Sequence, residues 1–593
     1  MEGSLANPAF LGVERSLCGR RWRQRGGDDR AGLTLAQRLG VPEILGSVLA
    51  ARGIEAEGAE RFLNPTLRDQ LPDPSSLIDM DRAIERLVRA VTAGELIAIF
   101  GDYDVDGATS AALLRRFLAS VGGRVVVYVP DRMKEGYGPN APALLKLRSE
   151  GVSVAVTTDC GITAHAPLAA AAAAGLDVVV IDHHIGEPEI PRAVAVVDPN
   201  RLDEASPHGV LAAVGVAFLL AVGINRALRQ AGWYAERAEP DLTRLLDLVA
   251  LGTICDVVPL TGVNRALVAQ GLKVMRSLGN TGIAALAEVA GIGERLDAYH
   301  AGFILGPRVN AGGRVGRADA GSRLLATDDA GEAKALAQAL HQWNAERRDI
   351  EARVLEEAIE VVERAGSHLP IAFGASESWH PGVIGIVAGR LKERYNRPAC
   401  VVALASGIGK GSGRSIAGFA LGAAVIAARQ AGLLVNGGGH AMAAGFTVAE
   451  ERLPALRDFL AARIAETAGP AGLVPELGLD GMLMPAAATP DFVTLLERLA
   501  PFGAGNAEPR FAFPAVRVLK ADVVGDAHIR LVLAEPASNQ RLKAIAFRCL
   551  DSDMGRAFLN GRGQGFHLAG HLRADTWQGR NEVQLLVDDA APA

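Results

Sequence analysis

Three carboxylates at alternate positions are the residues of this chain best placed to do chemistry. Asp102, Asp104 and Asp106 directly follow the apolar run 95–100, which reads as a buried strand, and a helical pattern starts at Gly107. The aspartates therefore occupy the turn at the carboxyl end of a strand, where open α/β sheets bind their ligands. Negative charges at this spacing repel one another unless a cation neutralises them, so the pattern favours a divalent metal site.

Two other interpretations of this acidic turn also fit the local sequence. Its aspartates could cap the following helix and face solvent, or they could begin a calcium-binding loop. A calcium loop needs a glutamate six residues after its glycine, and Leu113 stands at that position. The capping turn therefore remains the alternative to a metal site.

Three further clusters of acidic or imidazole side chains follow along the chain. Two of them end β-branched apolar runs, 152–158 and 177–181, and the third ends a helical stretch that begins near Leu242. Taken alone, each has an ordinary explanation as a helix cap, a turn or a core histidine. The residues of these clusters are Asp159, then Asp182, His183 and His184, and then Asp256.

The segment between the two apolar runs predicts how the clusters meet. It reads from His165 through a run of alanines to Gly175, with Pro167 in its first turn, and is typical of a crossover helix. Two strands joined in this way are parallel and end at the same edge of the sheet. We therefore expect Asp159 and the 182–184 triplet to lie beside the acidic turn. A helix cap, a turn or a core histidine explains each cluster alone, but none of them explains why the clusters meet at one edge of the sheet.

The types of ligand narrow the choice of metal. Many carboxylates, one or two imidazoles and no thiolate suit Mn²⁺ or Mg²⁺ better than zinc. The bridging pattern fits two ions, which in such sites lie about 3.5–4 Å apart and serve phosphoester hydrolysis. The sequence therefore predicts a two-ion hydrolase of phosphate esters.

Composition limits the class of protein. With 593 residues, 49% of them hydrophobic and 22% charged, the chain should form three or four globular domains. The formal net charge of −6 argues at first sight against nucleic acid, but the carboxylates of a metal site themselves make the sum negative. Residues 390–397, with Lys410 and Arg414, form a basic segment that fits a solvated helix end and a DNA contact equally.

The cysteines and the apolar runs give expectations about location. Five scattered cysteines without a C-x-x-C pair suit a reducing cytoplasm and argue against structural zinc. The arginines near the N-terminus lack a following apolar core, so we expect no signal peptide. The longest apolar runs are interrupted by glycine, proline or charge, so we expect no membrane span.

Changes in pattern along the chain indicate an α/β protein of several domains. A pattern typical of one long helix covers 328–365 and should connect two of these domains around a cleft. We expect an N-terminal helical extension over 1–75, a doubly wound metal-binding domain over 76–265, a helical region over 266–366, a second α/β domain over 367–470, and an OB-fold β-barrel over 471–593.

The last two domains carry candidate nucleic-acid contacts. In the second α/β domain, the segment 437–444 reads as a glycine turn leading to a helix N-terminus, and together with Ser412, Arg414 and His440 it favours phosphate recognition. The OB-fold is a common binder of single strands through stacking aromatic residues. Phe547, Phe566 and Trp577 are the candidates there, although each is also a natural core residue.

The ordered motifs resemble the DHH phosphoesterase superfamily, whose name describes a triplet such as the one at 182–184. From about residue 40 onwards the chain resembles the bacterial branch of that superfamily that degrades single-stranded DNA. Two positions depart from that branch: Gly437 stands where an aromatic residue is frequent, and Ala420 stands where an acidic residue is frequent. Both departures lie in expected substrate loops and not among the expected metal ligands. The supporting motifs are 102–107, 159–161, 182–184, Asp256, 130–132, 135–138, 306–314, 379–388, 411–415, 438–445 and 501–506.

The resemblance implies a role for each site residue. Asp104 and Asp106 would bind one ion each, Asp159 would bridge the two ions, and His183 and Asp256 would complete the second ion's site. Asp102 would be a ligand or an orienting residue, His184 a donor to the scissile phosphate, and Asp182 a support for the imidazoles. Arg314, Ser412 and Arg414 would hold the 5′-terminal phosphate. The remaining expected substrate contacts are Arg132, nearer the metals along the strand, Asn310 and His440.

The implied function is 5′→3′ hydrolysis of single-stranded DNA to 5′-mononucleotides in DNA repair and recombination. The partners expected from the resemblance are single-stranded DNA, a single-strand-binding protein and a helicase. Two other functions share these features: a superfamily hydrolase of short oligonucleotides, cyclic dinucleotides or pyrophosphate, and a binding protein that has lost its chemistry. The long helix and the OB-like tail favour a polymer substrate, and the full set of expected ligands favours an enzyme.

Overall fold

The computed structural model describes residues 8–132, 134–293, 295–366, 369–468, 474–535, 538, 540–575 and 582–593. The chain forms two compact units, and each is described by itself. The first unit comprises Asn64–Asp349 and Pro501–Ala507. The second unit comprises Met1–Leu63, Ile350–Ala500 and Glu508–Ala593.

The first unit contains the predicted doubly wound sheet. All neighbouring strands are parallel, as the crossover helix required. The strand Leu96–Gly101 is covered on both faces, because Ile97 and Ile99 pack into one core cluster and Ala98 and Phe100 into another. In spatial order the strands are Arg124–Tyr128, Leu96–Gly101, Val152–Thr158, Asp177–Ile181 and Ala195–Val197.

Helices surround this sheet and extend the unit. The helix Ala213–Gln230 has the length and apolar composition of a membrane span, but 72% of it is buried within the fold, as in a core helix of a globular protein. A π-helical segment covers His300–Leu305, and 3₁₀ segments cover Pro74–Ser76 and Leu242–Leu245. The α-helices are Leu67–Gln70, Met80–Ala93, Val105–Ser120, Ala141–Ser149, His165–Ala173, Ala213–Gln230, Leu246–Cys255, Gly262–Met275, Thr281–Val289, Gly306–Val315 and Ala320–Ala326.

The long helix is present as Ala330–Ala365 and contributes residues to both units. It starts two residues later than the pattern predicted, because Oδ1 of Asp329 accepts a hydrogen bond from the backbone N–H of Glu332 at 2.6 Å and so caps the first turn. The prediction that this helix holds two domains around a cleft stays a prediction.

The second unit contains a mixed five-stranded sheet. Its one parallel pair joins Ala372–Ser376 to Ala399–Ala405, and the other pairs are antiparallel. The helices of this part are Ile384–Tyr395, Leu421–Gln430 and Leu453–Ala468, and a 3₁₀ segment covers Glu450–Arg452. The spatial order of the strands is Asn436–His440, Ala443–Ala449, Ile408–Arg414, Ala399–Ala405 and Ala372–Ser376.

The glycine-rich segment 437–444 is not the predicted turn before a helix. It forms most of a β-hairpin, in which Asn436–His440 pairs with Ala443–Ala449. Glycines are needed there by close packing, because a Cβ on Gly437 would lie 2.9 Å from Cγ1 of Val425, and a Cβ on Gly422 would lie 2.4 Å from the carbonyl oxygen of Gly439. The helix Leu421–Gln430 thus packs directly on the hairpin backbone.

The C-terminal part forms the expected five-stranded barrel, which is closed by pairing of its first strand with Gly565–Asp575. The helix Asp553–Asn560 precedes that strand, and further strands cover Glu476–Leu479 and Gly481–Met482. Phe566 is a core residue, Phe547 is 54% exposed, and Trp577 lies outside the described residues. The barrel strands are Phe511–Val524, His528–Ala534, Arg541–Ala546, Gly565–Asp575 and Glu582–Pro592.

The N-terminal segment belongs to this second unit as well. Its strand Arg21–Gln24 pairs in parallel with Glu476–Leu479, and Trp22 is fully buried with its indole N–H donating to Oδ2 of Asp589 at 3.1 Å. A 3₁₀ segment covers Phe10–Gly12. The remaining helices of this unit are Asp29–Leu39, Glu43–Ala51, Ala59–Leu63 and Pro490–Glu497, with a 3₁₀ segment at Pro485–Ala487.

Candidate metal centre

Three acidic residues continue the hydrogen-bond ladder of the parallel sheet where its strands end. The backbone N–H of Asp102 donates to the carbonyl oxygen of Thr158 at 3.2 Å, and that of Asp159 donates to Ile181 at 3.0 Å. The N–H of Asp182 donates to Val197 at 3.1 Å. Successive strands therefore deliver their carboxylates to one edge of the sheet, as the parallel topology predicts.

His183 lies at the centre of the carboxylates. Its Nε2 atom is 3.2 Å from Oδ1 of Asp159, 3.6 Å from Oδ2 of Asp256 and 3.9 Å from Oδ2 of Asp106. A second group of three carboxylates shares Asp159 and likewise has ligand atoms within 4.8 Å of one another. That group consists of Asp102, Asp104 and Asp159.

Several polar atoms of this cluster are buried without a partner. Among the residues that the structure describes, Oδ1 of Asp102, Oδ1 of Asp159 and Nε2 of His183 have no hydrogen-bond partner. Leaving such atoms unsatisfied is costly, by about 1–3 kcal/mol each for uncharged groups and by more for charged ones. Divalent cations bound among these residues would satisfy such atoms, and an oxygen-rich donor set with one imidazole fits Mn²⁺ or Mg²⁺.

The electrostatics of the cluster also favour a bound divalent cation. Burial, and then the charge of Asp104, raise the pKa of Asp102 to about 8 and that of Asp256 to about 7. Burial and neighbouring carboxylates also raise the pKa values of Asp106 and Asp159 well above the usual range. So many carboxylates cannot all ionise in one small volume without a compensating positive charge.

Two residues of the acidic turn also cap helices. Oδ1 of Asp104 accepts from the N–H of Gly107 at 3.1 Å, so this residue caps the helix Val105–Ser120. Asp106 accepts from the N–H groups of Ala213 and Val214, at 2.7 and 2.9 Å, and so holds the start of a helix distant in sequence. Capping and membership of the cluster are therefore not alternatives here, since the same carboxylates do both.

Asp182 and His184 form a pair at the edge of the cluster. Oδ1 of Asp182 lies 2.8 Å from Nδ1 of His184 and accepts from the N–H of His183 at 2.8 Å, while Oδ2 accepts from Ile162 at 3.0 Å. Burial works against a charged His184 ring, but the hydrogen bond and charge of Asp182 raise its pKa to about 9. Burial, and then the charge of His184, lower the pKa of His183 to about 4. The triplet thus holds a cationic imidazole beside a neutral one.

Two tyrosines, Tyr103 and Tyr137, pack beside the cluster, and sequence reasoning did not identify them as site residues. The hydroxyl of Tyr137 donates to the backbone oxygen of Asp159 at 3.0 Å, and its ring meets those of Tyr103 and His184 edge-on at 6.5 and 6.1 Å. The guanidinium of Arg132 lies 5.0 Å from the centre of the Tyr103 ring. Arg132 is therefore held next to the metal ligands, and the glycines that flank Tyr137 are the sequence signal for this loop.

Asn200 is a second residue that sequence reasoning missed. Its side-chain amide donates to the backbone oxygen of His183 at 2.6 Å and to that of Gly209 at 3.1 Å. It therefore ties the backbone of the triplet to the loop ahead of the helix Ala213–Gln230. A proline–asparagine turn is too common in proteins to have identified this contact.

The helix Gly306–Val315 brings two further predicted residues to the cluster. A Cβ on Gly313 would lie 2.9 Å from the backbone oxygen of Tyr103, so only glycine allows the helix to lie this close to the acidic turn. Arg314 follows directly, and its charge acts on the Tyr103 hydroxyl. Asn310 lies on the same helix, about one turn earlier.

The second unit gathers the remaining predicted residues at its mixed sheet. Nη1 of Arg414 lies 3.3 Å from Oγ of Ser412, and a Cβ on Gly385 would lie 3.0 Å from that oxygen and 3.1 Å from Nη2 of Arg414. The first turn of the helix Ile384–Tyr395 thus lies over both side chains. His440 lies two strands away from Arg414, because it pairs with Ala443, which in turn pairs with Arg414. Its side chain is exposed.

Family models match three parts of the chain. They are the DHH family, N-terminal domain, at residues 96–253, the DHHA1 domain at residues 367–466, and the RecJ OB domain at residues 479–589. Together with a carboxylate and imidazole cluster at the carboxyl edge of a parallel sheet, they define a DHH phosphoesterase.

Relatives and solved structures identify the branch. The single-stranded-DNA-specific exonuclease RecJ of Dickeya dadantii is 38% identical over 565 residues, covering 93% of this chain and 96% of that protein. The Escherichia coli protein of the same name is 36% identical over 566 residues, with the same coverage of 93% and 96%. RecJ from Thermus thermophilus in complex with Mn²⁺ matches with a TM-score of 0.79 and 31% identity over 95% of this chain and 78% of that one. The chain belongs to the RecJ family.

Proposed function

We propose that this chain is an exonuclease specific for single-stranded DNA that works from the 5′ end, releases 5′-mononucleotides and uses Mn²⁺ or Mg²⁺. The relatives in Dickeya dadantii and Escherichia coli are named single-stranded-DNA-specific exonucleases, and the Thermus thermophilus structures were solved with Mn²⁺ and with Mg²⁺. The observation that carries the proposal for this chain is the convergence of Asp106, Asp159 and Asp256 on Nε2 of His183. A role in DNA repair and recombination follows from the family.

The proposed ligand set holds two ions. Asp104 and Asp106 would each help to hold one ion, Asp159 would be shared by the two sites, and His183 with Asp256 would complete the second site. The position of Asp159 supports its bridging role, because its unpartnered Oδ1 lies 3.2 Å from Nε2 of His183 and its carboxylate also belongs to the group with Asp102 and Asp104. When bound, the ions supply positive charge that activates the attacking water and stabilises the phosphate oxygens in the transition state.

The protein's own groups orient the reacting phosphate. His184 is exposed enough to reach a substrate and carries a proton at neutral pH, which supports its role as a hydrogen-bond donor to the scissile phosphate. Asp182 holds the His184 ring and a backbone N–H of the triplet, and among the described residues it is in none of the groups whose ligand atoms lie within 4.8 Å of one another, which supports a positioning role. Asp102 has an unpartnered Oδ1 in the second three-residue group, which is compatible with either metal binding or orientation of its neighbours.

A pocket for the 5′-terminal phosphate is proposed from Ser412 and Arg414, and the expected contribution of Arg314, which belongs to the other unit, stays a prediction. The hydroxyl, the guanidinium and the N-terminal turn of the helix Ile384–Tyr395 are all suited to bind an anion. Asn310 and Arg132 would then contact the strand nearer the metals, and His440 would contact it near the phosphate pocket. A fixed 5′-end pocket sets which phosphodiester bond reaches the ions, so it accounts for exonucleolytic 5′→3′ polarity.

Further expectations concern partners and location. We propose that the enzyme acts in the cytoplasm on strands exposed by a helicase and covered by a single-strand-binding protein. The scattered cysteines support a reducing compartment, since all five are free thiols. The barrel supports a polymeric single strand as the substrate, since OB folds bind such strands.

A single set of assays tests the proposal. Single-stranded DNA carrying a 5′ label, duplex DNA and a dinucleotide are each incubated with Mn²⁺, with Mg²⁺ and with EDTA. We expect rapid release of the labelled mononucleotide from the single strand only, and none in EDTA. The Asp159→Ala variant should lose at least 10³-fold in rate and still bind the strand, because the bridging ligand is absent but the strand contacts remain. Faster hydrolysis of the dinucleotide, or substantial activity of the variant, would contradict the proposal.

A further inference from the structure

Two aromatic side chains stack on the surface of the first unit. The rings of Tyr299 and Phe303 have centroids 5.3 Å apart and planes only 28° from parallel. Both are unusually exposed for aromatic residues, with 51% of Tyr299 and 73% of Phe303 accessible to solvent. A stacked, solvent-facing aromatic pair needs an explanation, because such side chains usually bury their rings.

The helical segment that carries Phe303 packs near the proposed metal centre. Phe303 belongs to the π-helical segment His300–Leu305, and such segments are frequent at functional sites. The thiol of Cys255 donates to the carbonyl oxygen of Ala301 at 3.5 Å, and a Cβ on Gly306 would lie 2.5 Å from that sulfur. The segment that carries the aromatic pair is therefore packed on the residue next to the proposed metal ligand Asp256.

The same helical stretch continues to other proposed substrate contacts. From Phe303 it leads into the helix Gly306–Val315, which carries Asn310 and Arg314 along the acidic turn. Ten residues of helix separate Phe303 from Gly313, which corresponds to about 15 Å. The aromatic pair and the contacts at Tyr103 thus lie on one continuous element, at a separation that a few nucleotides of a single strand can span.

Positive charge accompanies the pair. Nη1 of Arg308 donates to the carbonyl oxygen of Ile304, next to Phe303, at 2.7 Å. Burial, and then the charge of Arg348, lower the pKa of Arg308. An arginine on the same helical stretch as exposed aromatic rings is the combination by which proteins hold single strands, with cations for phosphates and rings for bases.

We propose that Tyr299 and Phe303 form a stacking platform for nucleobases of the single strand as it passes the metal centre. The proposal rests on the proposed function and adds to it the surface that binds the bases. Stacking requires no particular base, because every base offers a flat face, so the platform strengthens binding without sequence preference. A protein partner is the other occupant to be tested, but the packing of this segment on Cys255 and the neighbouring Arg308 favour the strand.

Variants of Phe303 separate stacking from simple apolar contact. Phe303→Leu keeps an apolar side chain but removes the ring, and Phe303→Trp keeps an aromatic face. Leu145→Ala, on the helix Ala141–Ser149 of the same unit, is the matched control, because Leu145 is also an exposed apolar helical residue at 41%. Each variant is made in the intact chain and in the Asp159→Ala background, so that binding is measured without hydrolysis.

The measurements are fluorescence anisotropy with a labelled 20-nucleotide single strand and quenching of 2-aminopurine placed along it. We expect Phe303→Leu to weaken binding about 5- to 100-fold, because loss of one aromatic ring at a stacking site costs roughly 1–3 kcal/mol. The same variant should abolish quenching of 2-aminopurine at one or two positions of the strand. Phe303→Trp should bind within about threefold of the parent, and Leu145→Ala should not differ from it. In the active chain, Phe303→Leu should raise KM for the strand and leave kcat largely unchanged.

Several outcomes would overturn the platform. Unchanged strand affinity in Phe303→Leu, or an equal loss in Phe303→Trp and in Phe303→Leu, would show that no ring stacks on a base there. A lowered kcat with an unchanged KM would indicate a structural effect on the metal centre and would equally contradict it. Failure of the parent chain to hydrolyse single-stranded DNA would instead contradict the proposed function, while the binding comparison would still decide the platform.

Discussion

Oδ1 of Asp182 lies 2.8 Å from Nδ1 of His184, and the remaining oxygen of the carboxylate accepts the N–H of Ile162. The carboxylate thereby fixes the orientation of the imidazole and stabilises its charged form. The pKa of His184 is raised to about 9 although burial alone would lower it. Because Nδ1 is bound to Asp182, Nε2–H is the donor that remains on the charged His184 ring.

Replacing Asp182 with asparagine should remove that charge at neutral pH. With the raised pKa of about 9, His184 stays charged up to about pH 9, and without the carboxylate its pKa should fall towards the ordinary value of about 6.5. We expect kcat of Asp182→Asn to be about 10- to 100-fold lower at pH 8, with partial recovery at pH 6. A kcat–pH profile measures this, with Mn²⁺ binding by calorimetry as the control. Wild-type activity at pH 8 would contradict the role.

Metal binding should become tighter as pH rises. In the metal-free protein, the pKa values of about 8 for Asp102 and about 7 for Asp256 mean that both groups hold protons at pH 6. A cation must displace those protons, so its affinity increases with pH until the groups are ionised. We expect Mn²⁺ affinity to rise at least tenfold from pH 6 to pH 8. Calorimetry in buffers of different ionisation enthalpy should detect proton release at pH 6, and an affinity independent of pH would contradict the clustering.

The acidic cluster should destabilise the metal-free fold at high pH. The folded-state pKa of Asp256 is about 7, above its unfolded value near 3.9, so the penalty for ionising it is absent below about pH 4 and complete above about pH 7. Without metal, Asp256→Asn should therefore be more stable than the wild type by about 1–3 kcal/mol at pH 8, and nearly equal to it at pH 4.5. Denaturant unfolding in EDTA measures both values. A variant that is less stable at pH 8 would argue against charge repulsion there.

Gly385 offers a test of the 5′-phosphate pocket. A Cβ at this position would lie 3.0 Å from Oγ of Ser412 and 3.1 Å from Nη2 of Arg414, so Gly385→Ala crowds the proposed anion contacts. We expect the preference for a 5′-phosphate over a 5′-hydroxyl strand to fall about tenfold, an effect of roughly 1.4 kcal/mol. Gly389→Ala on the same helix is the matched control, because nothing lies within 4 Å of a Cβ there. An undiminished preference in Gly385→Ala would place the terminal phosphate elsewhere.

Local pattern predicted the parts of the site that lie at strand ends. Asp102, Asp159 and Asp182 each follow an apolar run, and a crossover helix between such runs fixes the strands as parallel, so topology alone placed the side chains together. Asp256 is delivered by a helix, and its position beside His183 depended on the packing of that helix. Hydrophobic periodicity does not predict such a position, so Asp256 was assigned to the site from the resemblance to the DHH phosphoesterases.

Contacts made by loops could not be predicted in the same way. Asn200 holds the backbone of His183, and Tyr137 holds that of Asp159, through hydrogen bonds between residues 17 and 22 positions apart. Such contacts leave no periodic trace in a sequence. The hairpin at 436–449 was wrongly predicted as a turn before a helix, because glycines have low strand propensity. Its second strand pairs with the neighbouring strand Ile408–Arg414, and such tertiary pairing overrides local propensity.

Anomalous scattering from Mn²⁺-soaked crystals tests the central claim most directly, because it counts and locates the ions without reference to activity. We expect two peaks at the carboxyl edge of the parallel sheet, one bounded by Asp104 and Asp159 and the other by His183 and Asp256. In crystals of Asp159→Ala at least one of these peaks should disappear. Ions bound only elsewhere in wild-type crystals, with no peak among these four side chains, would contradict the two-ion centre.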